Sequence, residues 1–449
     1  MPSTYLTLSP SGSGNQRKFT FSVWCKKSAI NPGSSYFLFG TGADGSNYTH
    51  LHFDSNHQLV MKGRASGSTF CNVITNRKFR DPHSWYHIVA AVDTEQGTAA
   101  DRVKIYVNGV QETSFQTATY PSQNADFENQ NASAPFKIGT NYANASNETF
   151  EGCMTYFAYC DGQQLAPTVF GSTDSTTGEW KINTNPSFTP GTNGFLILKD
   201  GSSLTDQTTN TNNFTLAGGS LLDINDNPSN VFCIMDPLYN QTISQGVTMT
   251  DAGTRTGYDP NSSRSAYGTI AVNKGKYYWE MKAEATGGTM AVGIANVSEW
   301  EDINQASGYA FQDLSFNVGY STDGNTYTGG SGTSYGNSYA QDDIIGCAAD
   351  FDNRKLYFSK NGVFQNSGDP TSGSTGTGAV SFTFSTNANA LYVPAARMRN
   401  GTYIQWNFGN GYFRTTAISS AGTNASNLGT FEYDVPTGYT ALCTKGLNE

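Results

Sequence analysis

Strict two-residue alternation of apolar side chains, recurring along the chain, constrains this fold more than any other feature. Phe19, Phe21 and Val23 share one face of FTFSVW, and Val103, Ile105 and Val107 share one face of DRVKIYVNG. In GKYYWEMKA, Tyr277, Trp279 and Met281 alternate with Tyr278, Glu280 and Lys282. In RKLYFSKNG, Leu356 and Phe358 alternate with Tyr357 and Ser359. A period of two reads as half-buried strands. Two of the runs end in Asn-Gly, at Asn108-Gly109 and Asn361-Gly362. Asn-Gly suits a two-residue type I′ turn, because both residues tolerate positive φ. No stretch of helix length carries a 3.6-residue apolar period.

Composition agrees with an all-β chain. Charged residues make up only 14% of the 449, whereas Gly numbers 48 and aromatics reach 13%. Strand and turn formers thus replace the Lys, Glu, Arg and Ala of helical surfaces. The 25 Tyr, 27 Phe and 6 Trp argue against disorder, since disordered chains lack such apolar mass. A net charge of −10 offers no basic stripe for nucleic acid or anionic membrane. No apolar run approaches the ~20 residues that span a bilayer. The beginning, MPSTYLTLSPSGSGNQRKF, lacks the basic and apolar regions of a secretion leader. The seven cysteines are odd in number and widely spaced (Cys25, Cys71, Cys153, Cys160, Cys233, Cys347, Cys443). They read as buried free thiols rather than a disulfide framework or zinc site. The Asn-x-Ser/Thr sequons, such as Asn47, Asn131, Asn147 and Asn296, are what a chain this rich in Asn, Ser and Thr makes by chance.

The strand runs form two groups, about Phe19 to Pro167 and about Gly268 to Phe413. The expected organisation is a sandwich over residues 1–167, a connector over 168–267, a second sandwich over 268–415 and a tail over 416–449. The connector holds strand-like pieces, GFLILK (194–199) and NVFCIM (230–235), so it is expected to extend the sheets. The tail is expected to pack back on the sandwiches. Two Gly/Ser/Thr-rich segments, 328–338 and 369–379, read as long loops on the second sandwich.

The first group resembles a laminin G-like, concanavalin A-like sandwich, through the ordered set FTFSVWCKK, FLFGTG, HLHFDSNHQLVMKG, WYHIVAAVD, VKIYVNGVQ, FKIGTN and FEGCMTYFAYCDGQQL. The second resembles a SPRY domain, through GKYYWEMKA, MAVGIANV, NVGYSTDGNTYTGG, DDIIGCAADFDNRKLYFSKNGVF, LYVPAARM and WNFGNGYF. The resemblance implies two concanavalin A-like jelly-roll β-sandwiches. The pairing of these modules, with NNFTLAGGSLLDINDNPSNVFCIMDPL between them and FEYDVPTGYTALCTKGL near the end, resembles structural proteins of marine tailed bacteriophages. It implies a non-enzymatic virion surface protein, made in a host cytoplasm, binding host surface glycans and other virion proteins. Tail-associated receptor binding is the leading form, and a capsid decoration subunit with subunit contacts only is the alternative. A homo-oligomer is expected, trimers being common among virion parts.

A glycan hydrolase is the third reading, since such sandwiches also house hydrolases that need two facing carboxylates. Glu299, Glu301 and Asp302 around Trp300 form the one acidic cluster with an aromatic inside it, and it reads as a solvated loop. Glu280 and Glu284 share a strand face but are four residues apart. His50 and His52 share a face, with no third metal ligand at useful spacing. Calcium, which some laminin G-like modules bind, has Asp44 and Asp54 as its candidate carboxylates, too few for a cage of six or more oxygens. Binding falls instead to loop aromatics of the second group: Trp300, Tyr309, Phe311, Tyr327, Tyr335 and Tyr339. They sit among Gly, Ser, Asn and Asp, as contact surfaces of low entropic cost do.

Overall fold

The computed structural model describes residues 4–10, 12–28, 33–128, 130, 134–143, 148–199, 201, 203–238, 246–297, 311–384 and 390–448. The chain is almost entirely β, in two compact units, residues 1–223 and 224–449. Among the described residues the helical elements are short 3₁₀ turns.

In the first unit an eight-stranded sheet faces a six-stranded one. The eight run in the spatial order Phe115–Thr119, Ser68–Lys78, Gln58–Ala65, Asn47–Phe53, Tyr36–Asp44, Phe136–Ile138, Tyr5–Leu8 and Thr215–Ala217. The six run Phe195–Ile197, Gly152–Asp161, Lys18–Lys27, Tyr86–Asp93, Val103–Val107 and Val110–Gln111. Between the sheets lie Phe19, Phe21, Val23, Ile88 and Ile105 from one side and Phe39, Leu51, Phe53 and Met61 from the other. Phe21 meets Phe39 at 4.4 Å between ring centroids and Tyr159 at 4.9 Å.

The second unit repeats the plan. One sheet runs Thr248–Thr250, Arg255–Tyr258, Thr402–Asn407, Lys276–Thr286, Ile344–Asp350, Lys355–Lys360 and Val363–Phe364. The other runs Arg264–Tyr267, Tyr392–Met398, Ala291–Asn296, Val318–Ser321, Asn325–Thr328 and Ser331–Ser334. Tyr277, Trp279, Met281, Leu356 and Phe358 point inward, the face their alternation assigns them.

The stretch 168–267 is divided between the units. Phe195–Ile197 and Thr215–Ala217 are edge strands of the first, whereas Phe232 to Met235 and the strands from Thr248 onward belong to the second. Of the two segments read as loops, Ser331–Ser334 is an edge strand and Pro370–Thr375 a 3₁₀ turn. Gly/Ser/Thr content conceals such elements because neither has an apolar face to pattern.

The two units share more than architecture. Lys18 lies opposite Asp93 in the first, and Lys276 opposite Asp350 in the second. Asn108 N donates to His87 O, as Asn361 N does to Ile344 O, each at 2.9 or 2.8 Å. The Asn108 and Asn361 carboxamides each accept from the first strand's backbone, at His87 N and Ile344 N, both 2.8 Å. HIVAAVD (87–93) and IIGCAAD (344–350) are therefore equivalent strands. Both turns adopt the left-handed conformation expected, with φ of 47° and 79° at Asn108-Gly109 and 50° and 81° at Asn361-Gly362.

Each unit also covers the outer face of this shared sheet with its own chain. In the first, Leu165, Val169, Phe170 and Phe188 lie over Val89, Ala91, Ala158 and Cys160. In the second, Phe431, Val435, Tyr439, Ala441 and Cys443, with Phe232, lie over Tyr278, Ala348 and Tyr357. The last strand, Thr440–Ala441, pairs in parallel with Lys276–Thr286, and Phe232 bridges Cys443. Residues 230–233 and 440–445 are thus hydrogen-bonded to each other, Cys233 N to Leu442 O and Thr444 N to Val231 O at 2.9 Å. None of the seven cysteines is in a disulfide, and all are buried except the half-buried Cys153.

Candidate binding face of the second sandwich

The second unit's other sheet carries a polar group on a floor of small residues. Opposed residues form two outward rows: Ser265, Arg397, Ala291 and Ser321, then Tyr267, Ala395, Gly293, Gly319, Tyr327 and Gly332. Side chains alternate across a strand, so Val318, Tyr320, Ala396 and Met398 point into the core and these point away from it, where Phe311 and Leu314 cover Tyr267, Ala291 and Ala395 and leave Arg397 and Tyr327 half-buried. A Cβ at Gly293 would stand 1.9 Å from Val318 O. The floor therefore has to stay low.

Arg397 rises from this floor, half-buried. Its Nε and Nη2 both donate to Ser263 Oγ, at 3.1 and 2.9 Å, and among the described residues this hydroxyl is its one hydrogen-bond acceptor. A guanidinium has five donors. Burial lowers its pKa from the ordinary value, with Asp313 and Asp323 opposing from a distance. Tyr327, half-buried, donates to Asp323 Oδ2 at 2.6 Å, and that bond, with burial, pushes the phenol up. Burial pushes the Asp323 carboxyl up, but the bonds from Tyr327 and Asn325 outweigh it and hold it low. Gln312 packs over Gly319 fully buried, with neither amide atom hydrogen-bonded among the described residues. Such orphaned polar atoms are costly unless a solvent or ligand group meets them.

The structure corrects part of the expected aromatic set. Trp300 and Tyr309 lie outside the described residues, as does the cluster of Glu299, Glu301 and Asp302. Phe311, Tyr335 and Tyr339 are buried, at 0%, 7% and 4% exposure, and present no face to a ligand. Tyr335 and Tyr339 pack on Tyr320, at 5.5 and 5.4 Å. Their hydroxyls find backbone partners: Tyr335 accepts from Phe358 N at 3.2 Å, and Tyr339 donates to Tyr320 O at 3.0 Å. A phenol needs such a partner to be buried, and the Gly-rich loops supply the backbone. Only Tyr327 remains on a half-open surface. Arg397, Asp323 and Gln312 were missed. The signal for Arg397 is PAARMR, where arginines alternate with small or apolar residues on one strand.

The described nucleophile and carboxylate candidates elsewhere are each engaged with other groups. Ser22 Oγ lies 2.9 Å from His87 Nε2, but His87 Nδ1 accepts from Trp180 Nε1 at 3.0 Å. The indole can only donate, so the network assigns the imidazole proton to Nε2, and His87 donates to Ser22 instead of deprotonating it. Glu284 is held by Arg255 through two bonds, at 2.6 and 2.9 Å, and by Arg414 at 3.2 Å. Glu280 is buried, as described below. Asp44 and Asp54 cap their own turns, accepting from Ser46 N and from Asn56 N and Gln58 N. His50 and His52 lie 5.9 Å apart in a stack with Phe37, Tyr48 and Tyr142. Among the described residues, no three His, Cys, Asp or Glu gather as a metal site would require.

These geometries define a pair of β-sandwich modules. Residues 2–162 match the concanavalin A-like lectin/glucanases superfamily, and residues 276–411 match the SPRY domain. The chain therefore carries a concanavalin A-like domain followed by a SPRY domain. Over 106 residues, 23% of this chain, it is 31% identical to the Ran-binding proteins 9/10 homolog of Drosophila melanogaster, and it spans only 11% of that protein. The SPRY domain of human HERC1 is similar at 18% identity and a TM-score of 0.28, over 38% of this chain and 96% of that one. A heptameric SAP-like pentraxin from Limulus polyphemus is similar at 14% identity and a TM-score of 0.26, over 36% and 71%.

Proposed function

We propose that this chain is a non-enzymatic recognition protein of a bacteriophage particle surface, and that its SPRY sandwich binds hydroxyl-rich host glycan at the face around Arg397 and Tyr327. The virion assignment rests on the resemblance of residues 212–238 and 431–447 to phage structural proteins. The observation that supports binding is the Arg397 guanidinium, half-buried on Gly and Ala and bonded to one serine hydroxyl. Its remaining N–H groups suit sugar hydroxyls, and the half-buried Tyr327 ring, three strands away on the same sheet, supplies an apolar face. The test is a glycan array probed with the full chain and with Arg397→Ala and Tyr327→Ala. Binding that both variants abolish supports the reading; binding that survives both, or no binding by the wild type, overturns it. Gold-labelled antibody against the SPRY domain on purified particles tests the location. Label on the tail agrees with receptor binding, and absence of label overturns the virion assignment.

One observation favours the second reading, a decoration subunit that binds only other subunits. Val110 and Val363 follow the two equivalent Asn-Gly turns, on edge strands, and are 63% and 67% exposed. Exposed apolar residues on unpaired edges are what chains avoid unless something covers them. Label spread over the head would select this reading.

A further inference from the structure

The residues four places beyond the corner lysines, Ser22 and Glu280, occupy equivalent positions on the outer faces of equivalent strands. Each fastens the segment that covers its sheet. Ser22 acts through His87, which holds the Trp180 indole. Glu280 holds the C-terminal segment by its backbone: Glu432 N donates to Oε2 and Tyr433 N to Oε1, both at 2.9 Å. Asn407 Nδ2 donates to Oε2 at 3.1 Å, and the Tyr278 hydroxyl to Oε1 at 3.2 Å.

Glu280 is fully buried, and among the described residues no lysine or arginine pairs with it. The titratable groups packed about it are Tyr278 on its own strand and Glu432 and Tyr433 of the covering segment. Nearby lysines are committed elsewhere, Lys282 to Asp342 at 3.2 Å and Lys360 to Asp343 at 3.0 Å. A buried charge without a counter-ion is costly, and a neutral acid is cheaper if its proton has somewhere to go. That place exists. The Tyr278 hydroxyl and the buried Ser359 Oγ lie together over Gly346, each 2.5 Å from where a Cβ would stand. Ser359 Oγ has no other hydrogen-bond partner among the described residues, which leaves it to the Tyr278 hydroxyl. A protonated Glu280 would donate to the Tyr278 oxygen, and the phenol would turn its own proton to Ser359, while both backbone N–H groups keep their acceptors.

We infer that residues 431–443 form a strap whose seating on the SPRY sheet is coupled to one proton that Glu280 takes up from solvent and keeps, while the Tyr278 hydroxyl turns its own hydrogen bond to Ser359. Burial, opposed by the four donors, pushes the Glu280 carboxyl up to about 7. A carboxyl with a raised pKa in the seated state gives a strap that is tightest when protonated and loosens as pH rises through the interval between the free and seated values. The first unit is the internal control. Its fastening, Ser22–His87–Trp180, is already uncharged, because burial holds His87 down to about 3.

The experiment is hydrogen–deuterium exchange on the full chain at about pH 5.5 and about pH 8.5, corrected for intrinsic rates, comparing peptides over 431–443 with those over 171–182. The strap's opening constant should rise by roughly thirtyfold at the higher pH, while the 171–182 peptides stay level. Glu280→Gln should abolish the rise. Ser359→Ala, which leaves every bond to the carboxylate intact, should move its midpoint to lower pH. Equal strap protection at both pH values, a rise that persists in Glu280→Gln, or an unmoved midpoint in Ser359→Ala overturns the inference.

Discussion

The second residue of each Asn-Gly turn has to be glycine for two separate reasons, and the two can be measured apart. Gly362 has φ of +81°, and a Cβ there would stand 2.5 Å from Tyr433 Cδ1. In Gly362→Ala the left-handed backbone costs about 1 kcal/mol. Moving the packed ring costs about 1–2 kcal/mol more. The total, about 2–3 kcal/mol, lowers the melting temperature of a unit this size by roughly 4–12 °C. Gly109→Ala is the parallel case, with φ of +79° and a Cβ 2.4 Å from Trp180 Cε3. The assay is urea unfolding of the full chain, with the m-value unchanged so that the midpoint reports stability. In a Tyr433→Ala background only the backbone part of the Gly362→Ala cost should remain, a coupling of about 1 kcal/mol or more. If Gly362→Ala costs the same with and without the Tyr433 ring, the strap does not rest on the turn and the equivalence drawn between the units fails.

Three other outcomes follow from the same geometry. Phe21→Ala, which removes a ring 4.4 Å from Phe39, should destabilise the first unit by about 3–5 kcal/mol in calorimetry and leave the second unit's transition in place. The five histidines (His50, His52, His57, His83 and His87) all lie in the first unit, and burial holds His50 to about 2 and His52 and His87 to about 3. Depressed histidines contribute stability that is present above their unfolded pKa and lost as pH falls, so the first unit's unfolding free energy should drop by about 4 kcal/mol per pH unit near pH 5; a flat profile in urea titrations at stepped pH would refute their burial as neutral rings. Val110→Asp and Val363→Asp should leave both melting transitions within about 0.5 kcal/mol of wild type. If a multimer exists in sedimentation, they should weaken it, and an unaltered multimer would remove the edge strands from its interface.

The sheets were legible because a strand facing one core has to alternate, and Phe19, Phe21, Val23 and Tyr277, Trp279, Met281 do so without interruption. The turns were legible because Asn-Gly is nearly a conformational instruction. The covering segments were not. Phe170, Trp180, Phe431 and Tyr439 each plug a separate site, so no period marks them. Glu280 read as the polar side of an alternating strand, which is where it is, but alternation says nothing about a second layer over that side. Tyr335 and Tyr339 misled for a related reason. Gly and Ser around them announced a loop, yet the loop is fastened by the tyrosines themselves, through hydroxyls bonded to Phe358 N and Tyr320 O.

Covering one sheet in each unit also limits where recognition can occur. An outer face sealed by its own chain, over Val89 and Ala91 in one unit and Tyr278 and Ala348 in the other, offers a partner nothing without unfolding the cover. What stays open is the edges and a few positions of the opposite sheet, where Phe311 and Leu314 cover Tyr267, Ala291 and Ala395. In the SPRY unit that sheet leaves Arg397 and Tyr327 half-buried, and the edge carries Val363. In the concanavalin A-like unit the edge carries Val110 at the equivalent point. The proposed ligand face and the proposed assembly edge therefore lie on different parts of one sandwich and would not compete. The strap adds a third element, for its release would expose a large apolar face that neither of the other two surfaces provides.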